Sequence, residues 1–236
     1  MTAAMRVALT YNLKGDLPSA EQEIAAPNGE GLVEDDEPPL PPDFFAECDS
    51  VETVSAIQAA LSSRCQVELI EANEDAFERF RKSRPDIVFN VAEGIHGTAR
   101  ESHVPAMLEM LRIPYTGSDP LSLAISLDKA RTKEALAYHG IAVPRTLLVS
   151  SMVEMERVRR QRLPFGFPVI VKPVAEGSSK GIVNDAVVRN YTELEEQVRR
   201  VVTLYHQAAL VEPFLEGREF TVAMIGNGDG AECLPV

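Results

Sequence analysis

The sequence VIVKPVAEGSSKG, residues 169–181, carries the clearest chemical pattern of this chain. Its apolar β-branched start predicts a short buried strand, which ends at Lys172 and Pro173. The Gly/Ser-rich residues 176–181 predict a loop whose backbone N–H groups can approach anionic oxygens, and lysine adds a compact positive charge. The pattern is neither a Walker loop nor GxGxxG. It indicates phosphate binding, although a hairpin with a solvated lysine fits this stretch equally well.

Composition limits the class of protein. A chain of 236 residues is long enough for one large domain or two smaller ones with a real core. Its net charge of −13 argues against a nucleic-acid backbone or an anionic membrane surface as a partner. That charge still permits a small anion in a local basic pocket.

The cysteines and the apolar runs indicate a compartment. Cys48, Cys65 and Cys233 are odd in number, and their spacing fits neither a metal clip nor a disulfide framework. We therefore predict reduced thiols in a cytoplasmic protein. No apolar run approaches the roughly 20 residues of a membrane span. The first residues also lack the apolar core of an export signal, so we expect neither a membrane partner nor secretion.

The first half of the chain alternates strand and helix patterns, which predicts a parallel sheet covered by helices. The predicted domain spans residues 1–120. Within it, residues 14–43 are rich in proline and acidic side chains and predict a loop or disordered insert. The predicted strands are 6–11, 67–70 and 86–91, and the predicted helices are 49–63, 75–83 and 101–111.

The second half has a different pattern. One long helix is predicted over 122–139, and Gly140 and Pro144 end it. A β–β–α–β order then follows, which predicts an antiparallel α+β domain. Its predicted helices are 154–162 and 193–206, and its predicted strands are 167–173, 181–188, 209–214 and 219–225.

Several charged residues near the Gly/Ser loop could form a nucleoside site together with Lys172. Glu212 and Glu219 could accept from an amine or from ribose hydroxyls, and Phe214 could pack on a base. The simpler alternative is that both glutamates are ordinary surface charges at strand ends. For Lys129, within the predicted long helix, the simpler alternative is a solvated helix face with i,i+4 ion pairs.

The loop after the third predicted strand is another candidate. In a parallel sheet, loops that follow the carboxyl ends of strands line the binding crevice. Helix capping and hydrogen bonding are an equally good reading of the same polar residues. The candidate substrate contacts are Glu93, His96, Arg100, Glu101 and His103.

Four motifs together resemble the D-alanine–D-alanine ligases of the ATP-grasp superfamily, in the family's order and spacing. Their joint occurrence outweighs the simpler alternatives for single residues. The resemblance runs from about residue 50 to the end and is weaker in the first strand. The motifs are PYTGS (114–118), LDKARTK (127–133), VIVKP…EGSSKG (169–181) and VEPFLEGREFTVA (211–223).

The resemblance implies a fold and a nucleotide site. It implies an N-terminal Rossmann-like domain to about residue 120, a connecting helix and linker over 121–150, a small ATP-grasp subdomain over 151–215, and the start of the large subdomain over 216–236. By the same resemblance, Lys129 and Lys172 contact the ATP phosphates. A lid over the phosphates is formed by Gly177, Ser178, Ser179 and Gly181. The adenine amino group donates to Glu212, the backbone of Leu215 binds the adenine edge, and Phe214 packs near the base. Glu219 binds the ribose.

The resemblance also implies a reaction. A carboxylate attacks the γ-phosphate of ATP to give an acyl phosphate and ADP, and an amine then attacks the acyl phosphate and releases phosphate. The implied cofactors are ATP and Mg²⁺, and the substrates are small and amino-acid-like. Synthesis of D-alanyl-D-alanine for peptidoglycan is the leading case, and a homodimer is the common assembly.

Two departures from the family pattern change the expectations. The family places a glutamate before its first long helix to hold a substrate ammonium group. Here the region is rewritten, and Glu47 or Asp49 would substitute. The loop AEGIHGTARES also differs from the family's, so a different carboxylate and amine pair is expected as an alternative.

The second departure concerns the metal. The family's Mg²⁺ ligands lie in a C-terminal motif that would follow Val236, so we expect no metal ligands in this chain and an incomplete, C-terminally truncated ATP-grasp domain. The alternative to a ligase is therefore a non-catalytic or partner-dependent nucleotide-binding module, or a ligase fragment that is inactive on its own.

Overall fold

A computed structural model describes residues 4–15 and 40–236 of the chain. The strands are β1 (Arg6–Tyr11), β2 (Gln66–Glu71), β3 (Ile87–Asn90), β4 (Leu147–Val149), β5 (Val169–Pro173), β6 (Val187–Val188), β7 (Ala209–Pro213), β8 (Met224–Ile225) and β9 (Glu232–Cys233). The α-helices are α1 (Val51–Ser62), α2 (Ala76–Ser83), α3 (His103–Leu111), α4 (Pro120–Leu127), α5 (Lys129–Tyr138), α6 (Met152–Gln161) and α7 (Tyr191–Leu204).

The first sheet is parallel, as the alternation of strands and helices predicts. Its order is β2-β1-β3, with the buried strand β1 at the centre. Alternate residues of β1 face opposite ways. Ala8 belongs to a core with Phe80 of α2 and Leu108 of α3, whereas Leu9 packs with Val54 of α1. Helices therefore cover both faces, and the carboxyl ends of the strands remain free to form a site.

The second sheet is antiparallel and has the order β4-β7-β5-β6. Val169 and Val171 of β5 pack with Val198 of α7 in a buried core. Lys172 and Glu212 lie on the opposite face, because Ile170 pairs with Glu212 and side chains alternate along each strand. Both predicted fold types, the parallel N-terminal sheet and the α+β domain after it, are confirmed.

The predicted helix over 122–139 is in fact two helices. Asp128 has an extended backbone with φ −80° and ψ 102°, and it ends α4 and caps α5. Its carboxylate accepts hydrogen bonds from the N–H groups of Ala130 and Arg131, because aspartate competes well for free N–H groups at a helix start. Lys129 is therefore the first residue of a helix rather than part of a solvated helix face. Its N–H donates to the carbonyl of Val174 at 2.9 Å.

Two predicted strands are wrong over most of their length. Residues 184–186 form a 3₁₀ turn, so only Val187–Val188 pair with β5. Only Met224–Ile225 of the predicted strand 219–225 are in a ladder, and their partner is the two-residue strand β9. The apolar pattern correctly indicated a strand in each range. A strand forms, however, only where a neighbouring strand accepts its hydrogen bonds.

Most of the predicted insert, residues 16–39, lies outside the described part of the chain. Its two ends are described and are close together. The backbone N–H of Lys14 donates to the carbonyl of Asp49 at 2.9 Å, and residues 42–47 form turns that lead to α1. In the described ranges, no helix has both the length and the hydropathy that a membrane crossing requires.

Candidate functional site

The glycine loop, residues 176–181, leaves the end of β5 and turns back sharply. Lys180 N–H donates to the Gly177 carbonyl at 2.8 Å and closes the turn. Ser178 and Ser179 form its exposed tip in the left-handed region, with φ of 43° and 60°. Gly181 has φ +76°, and a Cβ there would lie 2.3 Å from Cγ of Pro173, so only glycine fits this position.

The two glycine N–H groups of the loop bind carboxylates from the N-terminal part of the chain. Gly177 N donates to Glu47 Oε1 at 2.7 Å, and Gly181 N donates to Asp43 Oδ2 at 2.7 Å. Within the described residues, the N–H groups of Ser178 and Ser179 have no acceptor. Of the four predicted lid residues, the serines therefore keep backbone donors for a ligand, whereas the glycines use theirs to anchor the loop.

A buried ion cluster, formed by Glu47, Arg100, Glu176 and Lys180, lies behind the loop. Arg100 Nη2 is 2.6 Å from Glu47 Oε2 and 2.9 Å from Glu176 Oε2. Lys180 Nζ is 2.8 Å from Glu176 Oε2 and 3.6 Å from Glu47 Oε2. Two cations thus compensate two carboxylates, which is the condition for stable burial of charge.

One member of this cluster, Arg100, was predicted to contact the substrate. Only 4% of the Arg100 side chain is exposed, and its remaining contact is the Ala175 carbonyl at 3.1 Å. Arg100 therefore joins the N-terminal domain to the glycine loop. Glu47, one of the two residues expected to hold a substrate ammonium group, is occupied by the same contacts.

A lysine cluster, formed by Lys129, Lys133 and Lys172, lies at the free face of the second sheet, and two of its lysines bind Glu212. Lys172 Nζ is 2.8 Å from Glu212 Oε1, and Lys133 Nζ donates to Oε2 of the same carboxylate. Burial alone would raise the pKa of Glu212, but the two lysines lower it below the ordinary value. Sequence reasoning missed Lys133. The i,i+4 spacing from Lys129 to Lys133 was the signal, because it puts both lysines on one face of a helix.

Lys129 connects the lysine cluster with the glycine loop. Its Nζ donates to the carbonyl of Glu176, at the start of the loop. Burial and then the charge of Lys172 lower the pKa of Lys129. Two lysines thus share the Glu212 carboxylate while the third binds a backbone carbonyl, which leaves an excess of positive charge beside the glycine loop.

An open cleft of about 420 Å³ borders the glycine loop. Glu93 and Glu101 line it together with Gly177 and Ser178. Burial, followed by the charges of Glu47 and Glu101, raises the pKa of Glu93 to about 7. One oxygen each of Glu47, Glu93 and Glu101 lies within 4.8 Å of the others. Such an acidic cleft favours a cation, either an ammonium group or a metal ion.

The structure does not bring the other predicted residues into the cleft or the lysine cluster. His96 lies beside Phe44, with ring centroids 6.1 Å apart, and lines two different cavities. Phe214, Leu215 and Glu219 lie on an exposed segment after β7, where the Phe214 N–H donates to the Pro168 carbonyl at 3.0 Å. The roles assigned to these four residues stay predictions.

Comparisons with known proteins agree with this architecture. A family model described as D-ala D-ala ligase C-terminus matches residues 136–236. Protein y4sG of Sinorhizobium fredii, which is described as uncharacterized, is 40% identical over 164 residues, which are 67% of this chain and 46% of that protein. A D-alanine–D-alanine ligase of Xanthomonas axonopodis pv. citri is 38% identical over 60% of this chain and 43% of its own length.

The fold is similar to that of a solved structure. The crystal structure of D-alanine–D-alanine ligase from Bacillus anthracis complexed with ATP has a TM-score of 0.57 and 22% identity, over 98% of this chain and 68% of that one. The chain spans about half the length of the curated relatives it matches. The family model, the identities and the shared fold lead to one conclusion: residues 136–236 match the C-terminal domain of the D-alanine–D-alanine ligases, and the chain as a whole is similar to these proteins in sequence and fold.

Proposed function

We propose that this chain binds ATP and takes part in the ATP-dependent joining of a carboxylate to an amine. The observation that supports this most directly is the lysine cluster, where three lysines lie close to a glycine loop and only two of them are paired with a carboxylate, that of Glu212. Phosphoryl transfer depends mainly on positioning and on neutralising the charge of the phosphates. An excess of positive charge beside free backbone donors meets both needs.

The lysines and the loop tip would contact the phosphates of ATP in different ways. Lys129 and Lys172 neutralise phosphate oxygens, and the tip of the loop at Ser178 and Ser179 donates N–H groups to them. ATP supplies the phosphoryl group that converts the substrate carboxylate into an acyl phosphate. The loop then keeps water from that intermediate, which would otherwise hydrolyse it.

Glu212 can accept a hydrogen bond from the adenine amino group while it binds two lysines. Each carboxylate oxygen has more than one acceptor site, so Lys133 and Lys172 leave room for the adenine amino group. Phe214, Leu215 and Glu219 would then complete the base and ribose contacts, as the family resemblance implies. Their exposed positions are accessible to a nucleotide.

The expected Mg²⁺ would depend mostly on ligands other than this chain's side chains. Among the described residues, Glu212 is the carboxylate of the lysine cluster, and two lysines already bind it. Mg²⁺ prefers six oxygen ligands and retains several waters. We therefore expect the phosphate oxygens and water to hold most of its coordination sphere at this position.

The acidic cleft supports an amino-acid-like substrate. Glu93 and Glu101 would receive the ammonium group of such a substrate, and its carboxylate would then point toward the glycine loop. A bound ammonium group would also lower the pKa of Glu93, because a neighbouring positive charge favours the ionised carboxylate. D-alanine is the first substrate to test, and other small amino acids follow, because the loop over residues 92–103 departs from the family pattern.

Calorimetric titration of the purified chain with Mg-ATP tests the proposal. We expect binding that Lys172→Ala weakens and that Lys82→Ala leaves unchanged, because Lys82 is an exposed lysine paired with Glu78 on a distant helix. Absence of binding in a chain shown to be folded would contradict the proposal.

Release of ADP on addition of D-alanine or another amino acid then tests the second half of the reaction. Turnover that depends on the amino acid supports a ligase. ATP binding without such turnover supports the alternative, a nucleotide-binding module.

A further inference from the structure

Asp43 makes an unexpected contact with the glycine loop. Its Oδ2 accepts a hydrogen bond from Gly181 N at 2.7 Å, and its two oxygens accept from the Tyr205 hydroxyl at 2.8 and 2.9 Å. Tyr205 is buried, with 7% of its surface exposed, and lies at the end of α7. Asp43 thus connects the segment before α1 with the loop and a helix of the second domain.

Gly181, at the end of the loop, is held through both its N–H and its carbonyl. Besides its N–H bond to Asp43, Gly181 accepts a hydrogen bond on its carbonyl from Arg200 Nη1 at 3.3 Å. Its left-handed backbone lies close against Pro173, as described above. Gly181 therefore cannot shift without breaking a charge-assisted hydrogen bond, which is among the stronger bonds of a protein.

The tip of the loop depends on this anchor. Ser178 and Ser179 are exposed and adopt successive left-handed conformations. The described residues provide no acceptor for their N–H groups, and the Ser179 carbonyl accepts from the N–H of Ile182, the residue after the loop, at 3.0 Å. The tip therefore has few contacts with the rest of the described chain. The direction follows from the ends of the loop, where Glu47 holds Gly177 and Asp43 holds Gly181.

We propose that Asp43 is a positioning residue, which holds the glycine loop so that the Ser178 and Ser179 N–H groups face a bound phosphate. Asp43 itself touches no ligand. The nature of the ligand rests on the proposed ATP binding, whereas the hold on the loop does not. The proposal also gives a function to the carboxyl end of the predicted insert, which its composition did not indicate.

The experiment compares Asp43→Ala, Asp43→Asn and the unchanged chain. Amide hydrogen exchange of the peptide over 174–182 reports on the loop, and calorimetry with Mg-ATP reports on binding. For Asp43→Ala we expect about tenfold faster exchange in the loop and about tenfold weaker ATP binding, as for the loss of one charge-assisted hydrogen bond. Asn keeps one oxygen that can accept from Gly181 N, so Asp43→Asn should restore most of both values.

Asp75→Ala is the matched control, because Asp75 is exposed and makes no side-chain cap to its helix. It should leave loop exchange and ATP binding unchanged. Unchanged loop exchange in Asp43→Ala overturns the proposal. Faster exchange with unchanged ATP affinity also overturns it, because the role would then be structural only.

The two proposals can fail separately. If the unchanged chain binds no ATP, the proposed function fails, and the exchange data for Asp43→Ala and Asp43→Asn alone decide whether Asp43 holds the loop. If Asp43→Ala does not fold, Tyr205→Phe supplies the comparison, because it removes only the hydroxyl that donates to Asp43, and unchanged loop exchange in that variant overturns the proposal.

Discussion

The buried ion cluster and the lysine cluster both contact the glycine loop, and they differ in charge balance. In the first, Arg100 and Lys180 match Glu47 and Glu176, and all four side chains are at least nine-tenths buried. In the second, three lysines accompany the single carboxylate of Glu212, which binds Lys133 and Lys172, and Lys172 is 23% exposed. A balanced buried cluster stabilises a fixed structure, whereas unbalanced charge beside solvent is available to a ligand. Charge balance therefore distinguishes the residues that stabilise the structure around the site from those that are available to bind a ligand.

The largest expected effect comes from breaking the balanced cluster. Arg100→Ala leaves two buried carboxylates with one cation, and loss of a partner from a buried pair costs about 3–5 kcal/mol. Urea denaturation should show this decrease in the free energy of unfolding. Arg131→Ala is the control, because its pair with Glu134 is exposed to solvent and contributes little to stability. Similar losses in the two variants would contradict the distinction between the clusters.

The second effect concerns ligand affinity rather than stability. Lys172→Ala removes one of the three cations of the lysine cluster, and a hydrogen bond to a charged group contributes about 1.5–3 kcal/mol. We expect the dissociation constant for Mg-ATP to rise by about ten- to hundredfold. The free energy of unfolding should change little, because Lys133 still pairs with Glu212. Equal ATP affinity in Lys172→Ala and the unchanged chain would exclude Lys172 as a phosphate ligand.

A third effect concerns pH and the acidic cleft. The folded chain holds a proton on Glu93 up to about pH 7, whereas the unfolded chain releases it near the ordinary value of 4.5. The folded state therefore binds more protons in this range, and its stability decreases as pH rises from about 4.5 to 7. Because the cleft is open to solvent, we expect a decrease of about 1–2 kcal/mol rather than the full value of the shift.

Glu93→Gln tests this pH dependence, since glutamine cannot ionise. Urea denaturation at about pH 5 and about pH 8 should give a smaller difference for the variant than for the unchanged chain. An equal pH dependence in both proteins would assign it to other groups, of which Glu101 is the first candidate, because burial also raises its pKa.

The smallest effect is expected from the predicted insert. Replacing residues 16–39 by a short Gly/Ser linker should change the free energy of unfolding by less than about 0.5 kcal/mol, because loop length has a weak effect on closure entropy. The linker can be short, since a Cβ on Gly15 would lie 3.1 Å from the Phe45 ring. Asp43 must remain in such a variant. A large loss of stability would show that the replaced residues pack on the fold.

The fold was predictable because its signals are local. Periodic apolar residues gave the three strands of the first sheet, β5 and β7 of the second sheet, and most of the helices within a few residues. The errors have a physical cause in each case. Asp128 caps a new helix within a helical pattern, and residues 219–225 lack a long partner strand, which no apolar pattern can reveal.

The sequence by itself determined the elements of the site: a strand that ends at Lys172, a loop that requires glycine at 181, and lysines spaced for one helix face. These follow from local chemistry, namely backbone conformation, side-chain charge and helical spacing. The tertiary structure alone decided which charges meet. Glu47 and Arg100 are 53 positions apart, and Asp43 and Gly181 are 138 apart. Ion pairs and hydrogen bonds between residues so distant in sequence depend on how the two sheets pack together. Only the folded chain therefore separates the balanced cluster from the lysines that remain for a ligand.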